Sequence, residues 1–341
     1  MIEIKKIEDI TYGIIINSTH FFLGINNEFK ILNLDDEVVD FPFTFFENQL
    51  CKIDDKKLYY RDKNEIYEIN CSNADVNRIL YSKADINSEI WIVNDNYLFE
   101  AQRTANRREY EFSLIEKKSK KKIWSDKSTV RFVSKSNKYL LFTDFLGGIY
   151  QRRCIDNGKE IWSLDFSDNR IQGKVLVIDN IIVFPTTNQD LIGIEIETGK
   201  EMWRLKNINA NSFQIQPNTN YLISLVSNSM GDNWYYVINP INGKIIVDKK
   251  FDDFYYGAGG STACIDDDYY YFISNDYGYP TEMRIERITH LGCINLQTHE
   301  IEWIEKIGTT SDLRSGYQKP EVHNGKIYLL DGEKTLHVYE L

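Results

Sequence analysis

An all-β fold, an eight-bladed β-propeller of four-stranded antiparallel sheets, is what this sequence predicts, and three observations predict it. The first is a pentapeptide written twice, "GKEIW" at 158–162 and "GKEMW" at 199–203, each time after alternating apolar residues. The second is the spacing of that frame and its weaker copies. If the residue four before the aromatic is called the slot, the slots fall at 37, 77, 120, 158, 199, 243 and 299, spaced by 40, 43, 38, 41, 44 and 56. A period in the low forties that accommodates four short strands is a propeller signature. The third is composition: 22 Tyr and 18 Phe against 6 Pro suit half-buried pleated surfaces. Periodicity at 3.6 residues is nearly absent, which disfavours a helical solenoid of similar period.

Taken in order, "NLDDEVVDF" sets Glu37 against Phe41, and "NADVNRILY" roughly aligns Asn77 with Tyr81. "EKKSKKKIW" places Lys120 and Trp124 in the same two positions. "IYQRRCIDNGKEIWSLDF" (149–166) and "LIGIEIETGKEMWRLKNI" (191–208) are the full copies, with Gly158 and Gly199 closing the turns. "PINGKIIV" offers Gly243 and Val247, and "LQTHEIEW" offers His299 and Trp303. Each copy reads as strand, polar turn, strand, so the residue four after the slot falls on a fixed face. First strands are expected near 13–17, 48–54, 89–94, 130–135, 173–178, 213–216, 261–266 and 320–323. The seventh copy is stretched by "NDYGYPTEMRIERITH" (275–290) between its second and third strands. The C-terminal "PEVHNGKIYLLDGEKTLHVYEL" supplies three strands, and "MIEIKKI" at the N-terminus supplies the missing fourth. That pairing closes the last sheet and removes open edges. Eight blades result; seven is the alternative, because 48–71 is the least regular copy. No Pro/Gly/Ser-rich linker or low-complexity run interrupts the series, so 1–341 reads as a single propeller domain.

The frame "(D/N/E)-x-G-K-x-x-W" after a strand, as in "IDNGKEIW" (155–162) and "IETGKEMW" (196–203), resembles the PQQ-like repeat of quinoprotein-alcohol-dehydrogenase-like propellers. "NPINGKIIV" (239–247) and "LQTHEIEW" (296–303) are degraded matches, so the clear resemblance covers about half the chain. It implies that Trp124, Trp162, Trp203 and Trp303 pack between neighbouring blades. An indole buries about 150–250 Å², which suits a seam between two sheets. The quinone site of that family needs adjacent cysteines, a calcium ion and a catalytic Asp, and no residues here match them. A non-catalytic, WD40-like member with no cofactor and no metal is therefore expected.

Other classes fall away on simple grounds. The N-terminus has no apolar run before a small-residue cleavage site, and no stretch of about 18 apolar residues exists. A cytoplasmic protein with no membrane partner is expected. Cys51, Cys71, Cys154, Cys264 and Cys293 are odd in number and scattered, as free thiols in a reducing compartment would be. Net charge is −11, which repels a phosphate backbone and argues against nucleic acid. The five histidines, His20, His290, His299, His323 and His337, show no ligand spacing. "YGAGGS" (256–261) lacks a phosphate-binding pattern, and no Ser/His/Asp set stands out.

What remains are irregular loops rich in interface residues. The seventh-copy insertion carries Tyr277, Tyr279, Met283, Arg284 and Arg287. "QRTANRREY" (102–110) gathers Arg103, Arg107 and Arg108, and "SNSMGDNWYY" (227–236) carries Met230 and Trp234. Tyr, Trp, Met and Arg are enriched at protein interfaces. The expectation is a monomeric, non-enzymatic scaffold that binds a protein partner, in the manner of an inhibitor or immunity protein masking a basic toxin or enzyme. The alternative is an enzyme or sugar and small-molecule binder using a central channel.

Overall fold

One hairpin turn recurs through the chain, and the slot residue is what closes it. Lys120, Gly158, Gly199, Gly243 and His299 all adopt left-handed backbone, with φ of 59, 71, 72, 69 and 60°. Each donates its N–H to the carbonyl four residues earlier: Glu116, Cys154, Glu195, Asn239 and Asn295, at 2.8–3.0 Å. Glycine takes this conformation without strain, whereas Lys120 and His299 adopt it at a cost of order 1 kcal/mol. The flanking strands then pair, and one residue is extra in each second strand. Leu114 faces Trp124 and Ile115 faces Lys122; Arg152 faces Trp162 and Arg153 faces Glu160. The same step separates Trp203 from Glu201, Val247 from Ile245, and Trp303 from Ile301. The extra residues Ile123, Ile161, Met202 and Ile246 are 40, 47, 52 and 41% exposed. A β-bulge thus turns the aromatic inward and its predecessor outward.

The computed structural model describes residues 2–8, 10–17, 20–25, 28–33, 38–44, 50–54, 57–62, 65–70, 76–81, 88–92, 96–104, 109–128, 130–135, 139–144, 148–208, 212–227, 233–251, 263–277, 287–310, 319–323, 325–332 and 334–341. Among them, 32 strands form eight four-stranded antiparallel sheets. Sheets 1 to 7 follow chain order. Their first strands are Ile10–Asn17, Leu50–Asp54, Ser88–Ile92, Val130–Lys135, Leu176–Ile178, Gln214–Ile215 and Ala263–Asp266. Sheet 8 begins with Glu321–His323, continues through Lys326–Leu330 and Leu336–Glu340, and ends on the N-terminal strand Ile2–Ile7. Ile2 lies opposite Glu340 and Ile7 opposite Leu336, the closure expected from the sequence. All eight first strands overlap the expected stretches.

One slot needs correcting. Asn77 is not in a turn; it lies in the strand Val76–Tyr81, opposite Glu68. The register step there leaves Leu80, rather than Tyr81, in the position that Trp124 occupies in the next sheet. Without a glycine or a tryptophan, that copy held no marker for its register. Glu37 lies outside the described residues.

The chain divides into two compact units, 14–170 and 1–13 with 171–341. Within each, the apolar core lies in the seams between consecutive sheets. In the first unit Phe99, Phe112 and Leu114 of sheet 3 pack on Leu140 and Phe142 of sheet 4. In the second, Leu176, Val183 and Leu191 of sheet 5 meet Phe213, Leu222 and Ile238 of sheet 6. Tyr235 and Val237 of sheet 6 meet Tyr270 and Phe272 of sheet 7, and Ile273 and Leu291 of sheet 7 meet Ile327 and Leu329 of sheet 8.

Two indoles interlock the seams of sheets 3–4 and 5–6. Trp124 donates its Nε1–H to the Ile155 carbonyl at 2.7 Å, crossing from sheet 3 to the slot turn of sheet 4. A Cβ placed on Gly158 would lie 2.8 Å from that indole. Trp203 repeats the arrangement from sheet 5 to sheet 6, bonding the Pro240 carbonyl at 2.7 Å, with a Gly243 Cβ 2.7 Å from its ring. Only a glycine slot lets the next turn close over the ring. Trp162 is half-buried opposite Arg152, and Trp303 packs 6.2 Å from Tyr271 in the seam of sheets 7 and 8.

Candidate functional site

Among the described residues, the contact residues expected from sequence lie at the ends of second and third strands in sheets 3, 6 and 7. Tyr279, Met283, Arg284, Arg107, Arg108 and Met230 lie outside the described residues. Arg103 pairs with Tyr110 as the last step of its hairpin in sheet 3. Tyr277 pairs with Arg287 at the end of the sheet 7 hairpin, so both ends of the 275–290 stretch continue the ladder. The strands Tyr269–Tyr277 and Arg287–Asn295 are nine residues each, against six for Leu222–Ser227 and Asn233–Ile238 of sheet 6. One of the three extra pairs, Tyr269 with Asn295, lies at the slot-turn end; the other two, at about 3.3 Å each, carry the sheet 7 ladder about 7 Å past the pair Ser227–Asn233.

Trp234 sits in the third strand of sheet 6, between Val226 and Lys250. Its ring stacks on Tyr236 at 6.5 Å and is half-buried against the core shared with sheet 5. On the opposite face, toward sheet 7, the same strand carries Asn233, fully buried. Ser274 extends the Phe272 face of sheet 7 toward it and lies opposite His290. The seam is therefore apolar at mid-height and becomes polar below the sheet 6 and sheet 7 connections. Sheets 6 and 7 bring two of the expected groups, Trp234 and Tyr277 with Arg287, to the same end of adjacent sheets. Arg103 belongs to the other unit.

No nucleophile is activated among the groups with resolved shifts. Burial pushes the Cys264 thiol well up and the Cys293 thiol up to about 12. The two flank Tyr271 on separate strands of one face, too far apart to bridge. Burial likewise holds Tyr150, Tyr235 and Tyr270 as phenols. Among the described residues, no group of three or more His, Cys, Asp or Glu side chains could hold a metal ion.

Two polar clusters escaped sequence reading because their members are far apart in the chain. Arg153 of sheet 4, nearly buried, reaches Asp126 of sheet 3 at 2.5 Å with its guanidinium 5.1 Å from the Phe142 centroid. His337 stands between two carboxylates, with Nδ1 2.5 Å from Glu3 and Nε2 2.8 Å from Asp331. That histidine ties the N-terminal strand to the turn and strand beside it in sheet 8.

No family model matches the chain, and no curated protein does. Solved structures do. BamB from Moraxella catarrhalis aligns over 100% of this chain and 99% of its own, at 11% identity and a TM-score of 0.55. The computationally designed Ika8 protein aligns over 98% and 96%, at 10% identity and a TM-score of 0.66. The WD40 domain of SCAP from fission yeast aligns over 98% and 95%, at 9% identity and a TM-score of 0.56. Likenesses at such identities carry the fold alone, and the fold of this chain is the all-β propeller.

Proposed function

We propose that the chain is a non-enzymatic, monomeric, PQQ-like propeller of the cytoplasm that binds another protein at the connection end of sheets 6 and 7. The observation that carries this reading is the sheet 7 hairpin, which runs two residue pairs past the last described pair of its sheet 6 counterpart and ends on Tyr277 and Arg287. Those residue types concentrate binding energy in protein interfaces. A net charge of −11 favours a basic partner through steering and complementarity, in the manner of an inhibitor or immunity protein. The free thiols of Cys154, Cys264 and Cys293 suit a reducing compartment, and the raised thiols and phenols support a role without covalent chemistry.

The test shortens the hairpin. Asn275 and Thr289 are cross-strand partners, so replacing 276–288 by Asn-Gly rejoins them through a two-residue turn. Tagged wild-type and shortened proteins are used to capture partners at low salt, and the captured proteins are weighed by mass spectrometry. Wild type is expected to retain a basic protein that ~0.5 M salt releases. The shortened form is expected to bind it at least about tenfold more weakly, the loss of one hot spot. Equal retention by both forms, or nothing retained by wild type, contradicts the proposal.

A further inference from the structure

The seam between sheets 6 and 7 departs from the indole–glycine interlock: its two positions hold Val247 and His299. His299 occupies the left-handed turn position, with its imidazole 5.9 Å from the Tyr235 ring and its Nδ1 3.2 Å from the Tyr235 hydroxyl across the seam. Lys249, on the fourth strand of sheet 6, donates to the His299 carbonyl at 3.3 Å and pairs with Glu300 at 2.5 Å. Its ammonium also lies 5.0 Å from the Phe251 ring. A titratable ring therefore stands where the seams of sheets 3–4 and 5–6 have a glycine, and a fixed cation stands beside it.

We infer that His299 makes this seam a proton-operated joint: the neutral imidazole closes it, and protonation loosens sheet 7 from sheet 6. The chemistry follows from the groups around the ring. Tyr235 is held as a phenol by burial, so its O–H donates to a bare Nδ1 only while the imidazole is neutral. A proton on Nδ1 turns that acceptor into a donor and obliges the phenol proton to find another acceptor in a buried place. It also sets a second cation beside Lys249. The charged groups acting on the ring are Lys249 from sheet 6 and Glu300 from its own turn, and Glu300 is already paired with Lys249. Burial first and Lys249 second hold the imidazole below the ordinary histidine range, against the opposing pull of Glu300. In the unfolded chain His299 takes up its proton near the usual value of about 6.5. The contribution of the seam to stability is thus complete above about 6.5 and declines as pH falls from there toward the lower folded value.

The inference is independent of the proposed partner and is read on the free protein. Ring resonances of His299 are followed by NMR against pH in wild type and in Lys249→Met, and urea midpoints are measured from pH 7.5 to 5 in wild type and His299→Asn. Asparagine tolerates the left-handed turn and does not titrate. The His299 ring is expected to titrate below the ordinary range and to move upward in Lys249→Met. The urea midpoint of wild type is expected to fall more on acidification than that of His299→Asn, since the other four histidines are common to both. Titration at or above the ordinary value, or equal falls in the two midpoints, overturns the joint. Should His299→Asn not fold, the two NMR titrations decide alone.

Discussion

Replacing Trp203 by alanine is expected to remove about 3–5 kcal/mol of stability, the range for a large aromatic deleted from a packed site. The loss has three parts. The ring covers Gly193 within its own sheet, where a Cβ would sit 2.1 Å from indole atoms, and it packs against the slot turn of sheet 6. Its removal therefore opens a void between Gly193 and the slot turn of sheet 6. The Pro240 carbonyl loses its 2.7 Å donor at the same time. Met202, one residue earlier, is 52% exposed on the bulge, so Met202→Ala is expected to change stability by less than about 0.5 kcal/mol. Urea midpoints of the two variants check the contrast, which depends on the bulge and not on hydrophobicity.

A His337→Leu variant is expected to lose about 3 kcal/mol, because a carboxylate hydrogen-bonded in a nearly closed site is left without its partner. The Asp331 side chain is 12% exposed and has little water to turn to, while that of Glu3 is 42% exposed. Glu3→Gln is accordingly expected to cost under about 1 kcal/mol, since water replaces much of what the half-exposed carboxylate loses. Asp331 also accepts from the Thr335 backbone N–H at 2.8 Å, so its turn has a second tie that survives the change. Midpoints for the two variants, measured side by side, test whether the closure of sheet 8 rests on the buried arm of this cluster.

Much of the architecture was legible because one turn chemistry is repeated with its markers intact. Gly158, Gly199 and Gly243 announce left-handed slots, and Lys120 and His299 fall in the same frame only because spacing carries them there. Where both markers were missing, as at Asn77, the reading slipped by one residue, since only cross-strand register distinguishes Leu80 from Tyr81. The bulge itself was not legible. Strict alternation puts Glu160 and Glu201 on the tryptophan face, whereas the extra residue sends the carboxylate and the apolar side chain before each indole into water. Contacts between distant residues, such as His337 with Glu3 at 334 positions' separation, leave no local trace. The candidate site was legible only as loop composition. Trp234, read as standing beside a flexible turn, belongs to a strand because alternating residues from Asn233 to Ile238 fill two different seams.

The central claim is that an indole on one sheet and a glycine slot on the next are a matched pair, and that Val247 and His299 are the mismatched pair which replaces it. The most direct measurement is the urea midpoint of Val247→Trp, His299→Gly and the two combined. Val247→Trp alone should be destabilising, because an indole there meets the His299 turn as the ring of Trp203 would meet a side chain on Gly243. His299→Gly alone should also be destabilising, since it deletes the ring that contacts Tyr235. Combined, they should recover most of the loss, with a coupling of at least about 1 kcal/mol between positions that touch. A double variant as unstable as the sum of its parts would contradict the pairing.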